Sequence, residues 1–321
     1  MDKLPKIVVI CGPTASGKSA AAVGLALAIG GEVVSADSGA VYRYLDIGTA
    51  KPTQKERETV SHHLIDVVDP DERYDAMAYR NAADAAIDGI IGRTRVPVVA
   101  GGTGLYLKAL IFGLFETTGT PREKGEVRES FVGRPTGDLF EELSRVDPPS
   151  AAQIGPNDRV RITRALEVFR MTGEPASRLR ERHAFRTRRY DALVFGLSVS
   201  RPLLYARIDR RVDEMAENGI VQEVKRVLGM GYPPTAPGLS IIGYKEVVEH
   251  LSGMTDLETA LGLIKKNTRN YAKRQMTWFR KTEGIRWVEH PCGIEGMIGE
   301  ARTFLAEVSP YRRSFPGGER G

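Results

Sequence analysis

Cysteine is scarce in this 321-residue chain: Cys11 and Cys292 are the only two. That number makes neither a disulfide framework nor a thiolate zinc site. Histidine is also sparse, and His62-His63 is the one cluster, with nothing else pairing with it at ligand spacing. No apolar run approaches the roughly 18 residues needed to cross a bilayer, and the N-terminus lacks a signal-type apolar segment. A cytoplasmic protein with no membrane partner is expected. Strong compositional bias is missing too: 41% apolar and 27% charged residues describe an ordinary globular protein. The length allows one large α/β domain plus a smaller one.

Net charge is a modest +5, but it is unevenly placed. Residues 121–190 hold 15 Lys/Arg against 11 Asp/Glu, and residues 261–287 hold 8 against 1, so the remainder is acidic. Two basic regions on an acidic body suit a polyanionic partner, although solvated helix faces give the same pattern.

The chain's densest signal is Gly12-Pro13-Thr14-Ala15-Ser16-Gly17-Lys18-Ser19, directly after the apolar run Ile7-Val8-Val9-Ile10. The spacing G-x-x-x-x-G-K-S is that of a phosphate-binding loop. Its backbone N–H groups turn inward around a diphosphate, Lys18 supplies a point charge, and Ser19 offers a hydroxyl to Mg²⁺. A strand before it and a helix over 18–29 after it are the context this motif needs, and the helix N-terminus adds partial positive charge.

Further strands are expected at 32–36, 96–100 and 192–197, with a helix over about 75–92. Strands alternating with helices predict an α/β fold: a P-loop NTPase-like parallel sheet flanked by helices. From 119 to 189, short helical segments broken by prolines predict an inserted helical domain, leaving 1–118 and 190–308 as the catalytic core. Residues 309–321 read as a loose tail.

Asp37 follows the strand 32–36, placing a carboxylate at the sheet edge where α/β folds assemble their sites. The strand 96–100 runs instead into Gly101-Gly102-Thr103-Gly104, with no acid to hold Mg²⁺ for ATP hydrolysis. Asp37 is thereby free to take a proton from a nucleophile; turn capping or indirect Mg²⁺ ligation are the alternatives. Thr103 can donate to a phosphate or a base. Arg161 with Arg164, and Arg207 with Arg211, are spaced to face one anion each, as solvated surface arginines also are. A helix over about 261–281 has a packing face of Leu261, Ile264, Thr268, Tyr271, Ala272 and Phe279. Beside it runs a basic stripe of Lys266, Arg269, Lys273 and Arg280, with Gln275 and Trp278 suited to base contact.

These motifs occur in one order: the P-loop; Ala36-Asp37-Ser38 with Tyr42-Arg43; Asp46-Ile47-Gly48-Thr49-Ala50-Lys51-Pro52; His62-His63-Leu64-Ile65-Asp66; and Gly101 to Tyr106. Asn157-Asp158, Arg161 to Glu167, Ile242-Gly243-Tyr244-Lys245-Glu246, Tyr271 to Gln275, and Thr277-Trp278-Phe279-Arg280 follow. Over roughly residues 5–290 the whole resembles the bacterial tRNA dimethylallyltransferases, isopentenyltransferases that modify tRNA.

The resemblance implies transfer of the five-carbon group of dimethylallyl diphosphate to N6 of the adenosine just 3′ of the anticodon, in tRNAs reading codons that begin with U. Mg²⁺ would assist and diphosphate would leave. It makes Asp37 the base, with Thr103 and Arg207 assisting at the diphosphate. An exocyclic amine needs such a base because its lone pair is delocalised, and N6 becomes acidic enough for an ordinary carboxylate as the C–N bond forms. The anticodon stem-loop would be contacted by Asp37, Ser38, Gly39, Ala40, Thr103, Arg128, Val160, Arg161, Ile162, Thr163, Arg164, Gln275 and Trp278. The target base would leave its stack for a pocket between core and insertion. Gly39 and Gly104 stand where bulkier residues are frequent in the family, and no C-terminal Cys/His module is present. A monomer is expected. A free-nucleotide isopentenyltransferase, a P-loop kinase of a small metabolite and a non-enzymatic tRNA-binding protein are the alternatives.

Overall fold

The computed structural model describes residues 4–115, 120–183, 187–289 and 293–307. Residue 119, Cys292 and the expected tail over 309–321 lie outside them. The chain divides into two compact units, one formed by residues 1–111 and 189–321 and the other by Phe112–Arg188.

In the first unit the order is β1 (Lys6–Cys11), α1 (Lys18–Ile29), β2 (Gly31–Ser35), α2 (Gln54–Thr59), β3 (His62–His63), α3 (Ala76–Gly92), β4 (Val96–Gly101) and α4 (Gly104–Phe112). The inserted unit holds α5 (Pro121–Glu129), α6 (Thr136–Val146), α7 (Pro148–Ala151), α8 (Arg159–Thr172) and α9 (Ala176–His183). The first unit resumes with β5 (Asp191–Ser198), α10 (Arg201–Glu217), α11 (Ile220–Gly229), α12 (Tyr244–Leu251), α13 (Leu257–Arg280), β6 (Ile285–Glu289) and α14 (Ile294–Ala306).

The six strands run in the order β3-β2-β4-β1-β5-β6, and every pairing is parallel. β1 is central, with Val8 opposite Val98 on one side and Leu193 on the other. Its residues Ile7 to Cys11 are wholly buried. A parallel strand covered on both faces reads as a continuous apolar run rather than an alternation, which is the pattern of Ile7 to Ile10. α1 packs its small residues Ala22 and Ala26, with Leu25, against this sheet. Left-handed Gly17 (φ 90°) and Gly30 (φ 67°) bound the helix.

A second cluster joins Val41, Leu45, Val212, Val224, Tyr244 and Ile264, tying the segment after β2 to α10 through α13. The inserted unit has a core of its own, built on Phe131, Leu139, Leu143, Ile162, Leu166 and Leu179. It begins at Phe112, earlier than the proline-rich character of the sequence suggests.

β6 follows α13, beyond the last strand expected from the sequence. The apolar stretch Leu64 to Val68 is bent by positive φ at Leu64 and Asp66, so only His62–His63 and a Tyr42–Val68 bridge join the sheet's edge.

Candidate active site

The carboxyl ends of β1, β2 and β4 converge, and the loop 12–17 wraps the first of them. Gly12 adopts φ 150°, where a Cβ would lie 3.2 Å from the Leu197 carbonyl. Lys18 is half-buried and its ammonium donates to the Pro13 carbonyl at 2.6 Å. Burial lowers its pKa to about 8, opposed by the Asp37 carboxylate and reinforced by Arg211. Ser16 Oγ is buried with no hydrogen-bond partner, and so is Arg211 Nε. Buried donors without partners are costly in a native fold, and here both lie at a loop built for phosphate. Cys11, at the end of β1, has its thiol pushed up to about 12 by burial and is a packing residue.

Asp37 stands just past β2. Its Oδ1 accepts from Gly39 N at 2.8 Å and Ala40 N at 3.4 Å, a turn that fixes the carboxylate. Thr103 Oγ1 accepts from Ser38 N at 3.0 Å and donates to Ser38 Oγ at 3.3 Å, so the two loops after β2 and β4 are stitched together. Such proximity needs Gly101, whose Cβ would fall 2.1 Å from the Ala36 carbonyl oxygen.

α13 closes this corner. Its start is fixed by Asp256, whose side chain accepts from Thr259 N at 2.7 Å. Gln275 is only 6% exposed, and both ends of its amide are engaged. Oε1 accepts from Thr14 N at 2.8 Å and Nε2 donates to the Gly102 carbonyl at 2.9 Å. It braces the phosphate loop against the β4 loop and also lines the adjoining cavity. Tyr271 turns its hydroxyl toward Thr103, Gln275 and Ser38, and its pKa is raised, mainly by burial and then by Asp37. Trp278 is 42% exposed, with Gly104 beneath its indole. A Cβ at Gly104 would lie 2.3 Å from the ring, which accounts for glycine there.

Between these groups lies a cavity of about 320 Å³. Its lining combines polar Thr14, Lys18, Asp37, Arg211 and Tyr271 with apolar Ile208, Val212, Met215, Ile241, Ile242 and Ile264. Arg211 hangs between two fixed oxygens: Nη1 donates to Thr14 Oγ1 and Nη2 to the Thr49 carbonyl, both at 3.2 Å. Arg207, the arginine expected at the diphosphate, is half-buried one helical turn away and is not among the lining residues; the lining arginines are Arg211 and Arg274. Ser19 is exposed on the first turn of α1, also outside the lining. Ser38 and Gly39 line the cavity, and Ala40 is buried behind them.

The basic stripe on α13 is partly neutralised. Arg269 pairs with Asp209 and Lys265 with Asp213, while Lys266, Lys273 and Arg280 are exposed. In the inserted unit, Arg128 and Arg164 both reach the buried carboxylate of Glu167 at 2.9 Å. Val160 is 78% exposed and Arg161 is exposed beside it. The Ile162 side chain is wholly buried in that unit's core and is not presented to a partner. Thr163 Oγ1 is turned back onto the Arg159 carbonyl at 2.8 Å.

Among the described residues no group of three or more His, Cys, Asp or Glu side chains could cage a metal. Mg²⁺ usually takes one or two protein groups, substrate phosphates and waters. Asp37, a carboxylate in the cavity lining beside the phosphate loop, fits that mode; the Ser19 hydroxyl, exposed, would have to reach a diphosphate from outside that lining.

The model of the IPP transferase family matches residues 40–282, and that of isopentenyl transferases matches residues 5–68. A tRNA dimethylallyltransferase of Citrifermentans bemidjiense is 48% identical over 95% of this chain and 99% of its own length. One from Geobacter sulfurreducens is also 48% identical, over 94% and 97%. Among solved structures, the tRNA isopentenylpyrophosphate transferase of Bacillus halodurans superposes with a TM-score of 0.69 at 38% identity, covering 94% of this chain and 96% of that one. A eukaryotic dimethylallyltransferase acting on tRNA gives 0.81 at 29% identity, covering 94% and 79%. A phosphate loop with unpartnered donors, a carboxylate beside it and this degree of kinship together place the chain in the IPP transferase family.

Proposed function

We propose that the protein transfers the dimethylallyl group of dimethylallyl diphosphate to N6 of the adenosine 3′-adjacent to the anticodon, in tRNAs reading codons that begin with U. The observation that carries this reading is the mixed lining of the cavity: Lys18 and Arg211, the latter with an unpartnered Nε, together with a set of aliphatic side chains. A diphosphate ester of a short hydrocarbon has that polarity, whereas a nucleoside triphosphate does not.

The diphosphate sits on the loop amides, Ser16 Oγ, Lys18 and Arg211. Lys18 exchanges its bond to the Pro13 carbonyl for a phosphate oxygen. Ser19 would hold Mg²⁺, which would supply positive charge against the departing group. The dimethylallyl chain lies on Ile208, Val212, Met215 and the isoleucines opposite. As the allylic C1–O bond breaks, its electron pair stays with diphosphate, where the loop and Arg211 are already oriented to receive it. N6 forms the new bond to C1, and its proton passes to Asp37. Oδ1 of Asp37 is occupied by the Gly39 and Ala40 amides, which leaves Oδ2 to accept it.

The RNA partner is read as the anticodon stem-loop, met by exposed Val160, Arg161, Arg164 and Arg128 of the inserted unit and by Trp278. Phosphate contacts position it and base contacts specify it. A cytoplasmic monomer suffices for this chemistry. The deciding experiment is mass spectrometry of an anticodon stem-loop incubated with enzyme, Mg²⁺ and dimethylallyl diphosphate, beside Asp37→Ala. Gain of one dimethylallyl group on that adenosine, lost in the variant, supports the reading. Prenylation of free AMP without modification of RNA overturns it in favour of a nucleotide-modifying enzyme.

A further inference from the structure

Behind the cavity wall, three consecutive backbone N–H groups of the segment 46–48 end on one side-chain pair. Glu223 of α11 is almost wholly buried. Its Oε2 accepts from Asp46 N at 3.0 Å, and both its oxygens accept from Ile47 N at 3.1 Å. Tyr244 donates its hydroxyl to Glu223 Oε1 at 2.5 Å and accepts from Gly48 N at 2.9 Å. The tyrosine ring lies so close to this backbone that a Cβ at Gly48 would fall 2.4 Å from it. Arg226 is the nearest cation, 3.9 Å from Glu223, and its guanidinium also donates to the Tyr44 carbonyl.

The next residue in the clamped segment is Thr49, whose carbonyl accepts from Arg211. We infer that Glu223, with Tyr244, is a positioning residue for Arg211: the pair fixes the 46–49 segment so that the Thr49 carbonyl holds the guanidinium against the phosphate loop. The inference rests on the reading of Arg211 as a diphosphate ligand. A buried carboxylate and the tyrosine bonded to it, between them serving three loop donors, make a rigid mount. An arginine suspended from that mount and from Thr14 presents its unpartnered Nε in one place, ready for a phosphate oxygen without reorganisation.

Glu223→Gln keeps the size of the side chain. In either amide orientation it turns an NH₂ toward a loop N–H or the tyrosine hydroxyl, so at least one contact becomes donor against donor. The test is a double-mutant cycle on the full chain, read by calorimetric binding of inorganic diphosphate to wild type, Glu223→Gln, Arg211→Ala and the double variant. Glu223→Gln should weaken diphosphate binding by about tenfold with Arg211 present and by less than about twofold without it. The KM for dimethylallyl diphosphate should rise in parallel, while the dissociation constant of an anticodon stem-loop stays within about twofold.

Equal losses in both Arg211 backgrounds, or an equal loss of RNA affinity, would overturn the inference and make the pair a general structural brace. If Arg211→Ala alone leaves diphosphate binding intact, it is the donor-site reading that fails. Tyr244→Phe removes one oxygen atom and leaves Gly48 N unpaired. It reads the same coupling should Glu223→Gln not fold.

Discussion

Gln275→Ala is the sharpest perturbation of this site, because one side chain joins the phosphate loop to the loop after β4. Its amide donates one hydrogen bond and accepts another, and its removal leaves Thr14 N–H and the Gly102 carbonyl without these partners. Losing both bonds and leaving both groups unpaired costs about 2–4 kcal/mol. For a unit of this size that is a fall in Tm of roughly 4–16 °C. The larger effect falls on the donor: Thr14 N belongs to the phosphate cradle, and a displacement near 1 Å costs about 10- to 100-fold in kcat/KM for dimethylallyl diphosphate. Selectivity among RNAs should not change. The assay is competition between stem-loops differing in anticodon-loop bases, read by mass spectrometry, together with donor titration and a melting curve. Gln275→Glu is the control, since it keeps an acceptor for Thr14 N but sets a carboxylate oxygen against the Gly102 carbonyl. A Gln275→Ala variant with altered RNA selectivity and unchanged donor KM would refute the bracing role and restore the base contact expected from the sequence.

Three more outcomes follow from the geometry. Asp37→Asn should keep RNA and diphosphate affinity within a few-fold while slowing transfer by about 10²–10⁴-fold in single-turnover kinetics. Arg211→Ala should lower kcat/KM for the donor by at least about tenfold, and Arg207→Ala by far less; the reverse order would return the diphosphate to Arg207. Because burial lowers the Lys18 pKa to about 8, the ammonium is charged below that value and neutral above it. Diphosphate affinity should therefore fall as pH rises through about 8, with proton uptake on binding near and above that pH, measured by calorimetry in buffers of different ionisation enthalpy.

The phosphate loop is legible in the sequence because its chemistry is local: strand, glycine turn, lysine and helix lie within fourteen residues, Lys6 to Ser19. Asp37 is legible for a related reason, as it sits where a parallel strand ends. The choice between Arg207 and Arg211 is not, because both lie on one face of α10. What selects Arg211 is the Thr49 carbonyl, delivered by a segment over 150 residues earlier. The bracing by Gln275 is hidden in the same way: a polar residue beside an exposed tryptophan suggests ligand contact, and only the fold shows its amide joining the phosphate loop to the β4 loop. β6 escapes notice because Arg286, Trp287 and Glu289 stay exposed, so its sequence lacks the apolar run that marks β1.

The bond between Thr14 and Gln275 joins residues 261 positions apart. At the pace of protein synthesis, about 5–20 residues per second, the phosphate loop leaves the ribosome roughly 13–52 s before its brace exists. During that interval β1 also waits for β5, which begins only at Asp191, after the whole inserted unit has been made. An unfinished chain therefore carries the motif but not the site, and the most apolar strand of the molecule is exposed for longest. Translation pausing between α9 and α13 should leave nascent chains dependent on chaperones, and truncated products should neither bind diphosphate nor compete for RNA bases at the cavity.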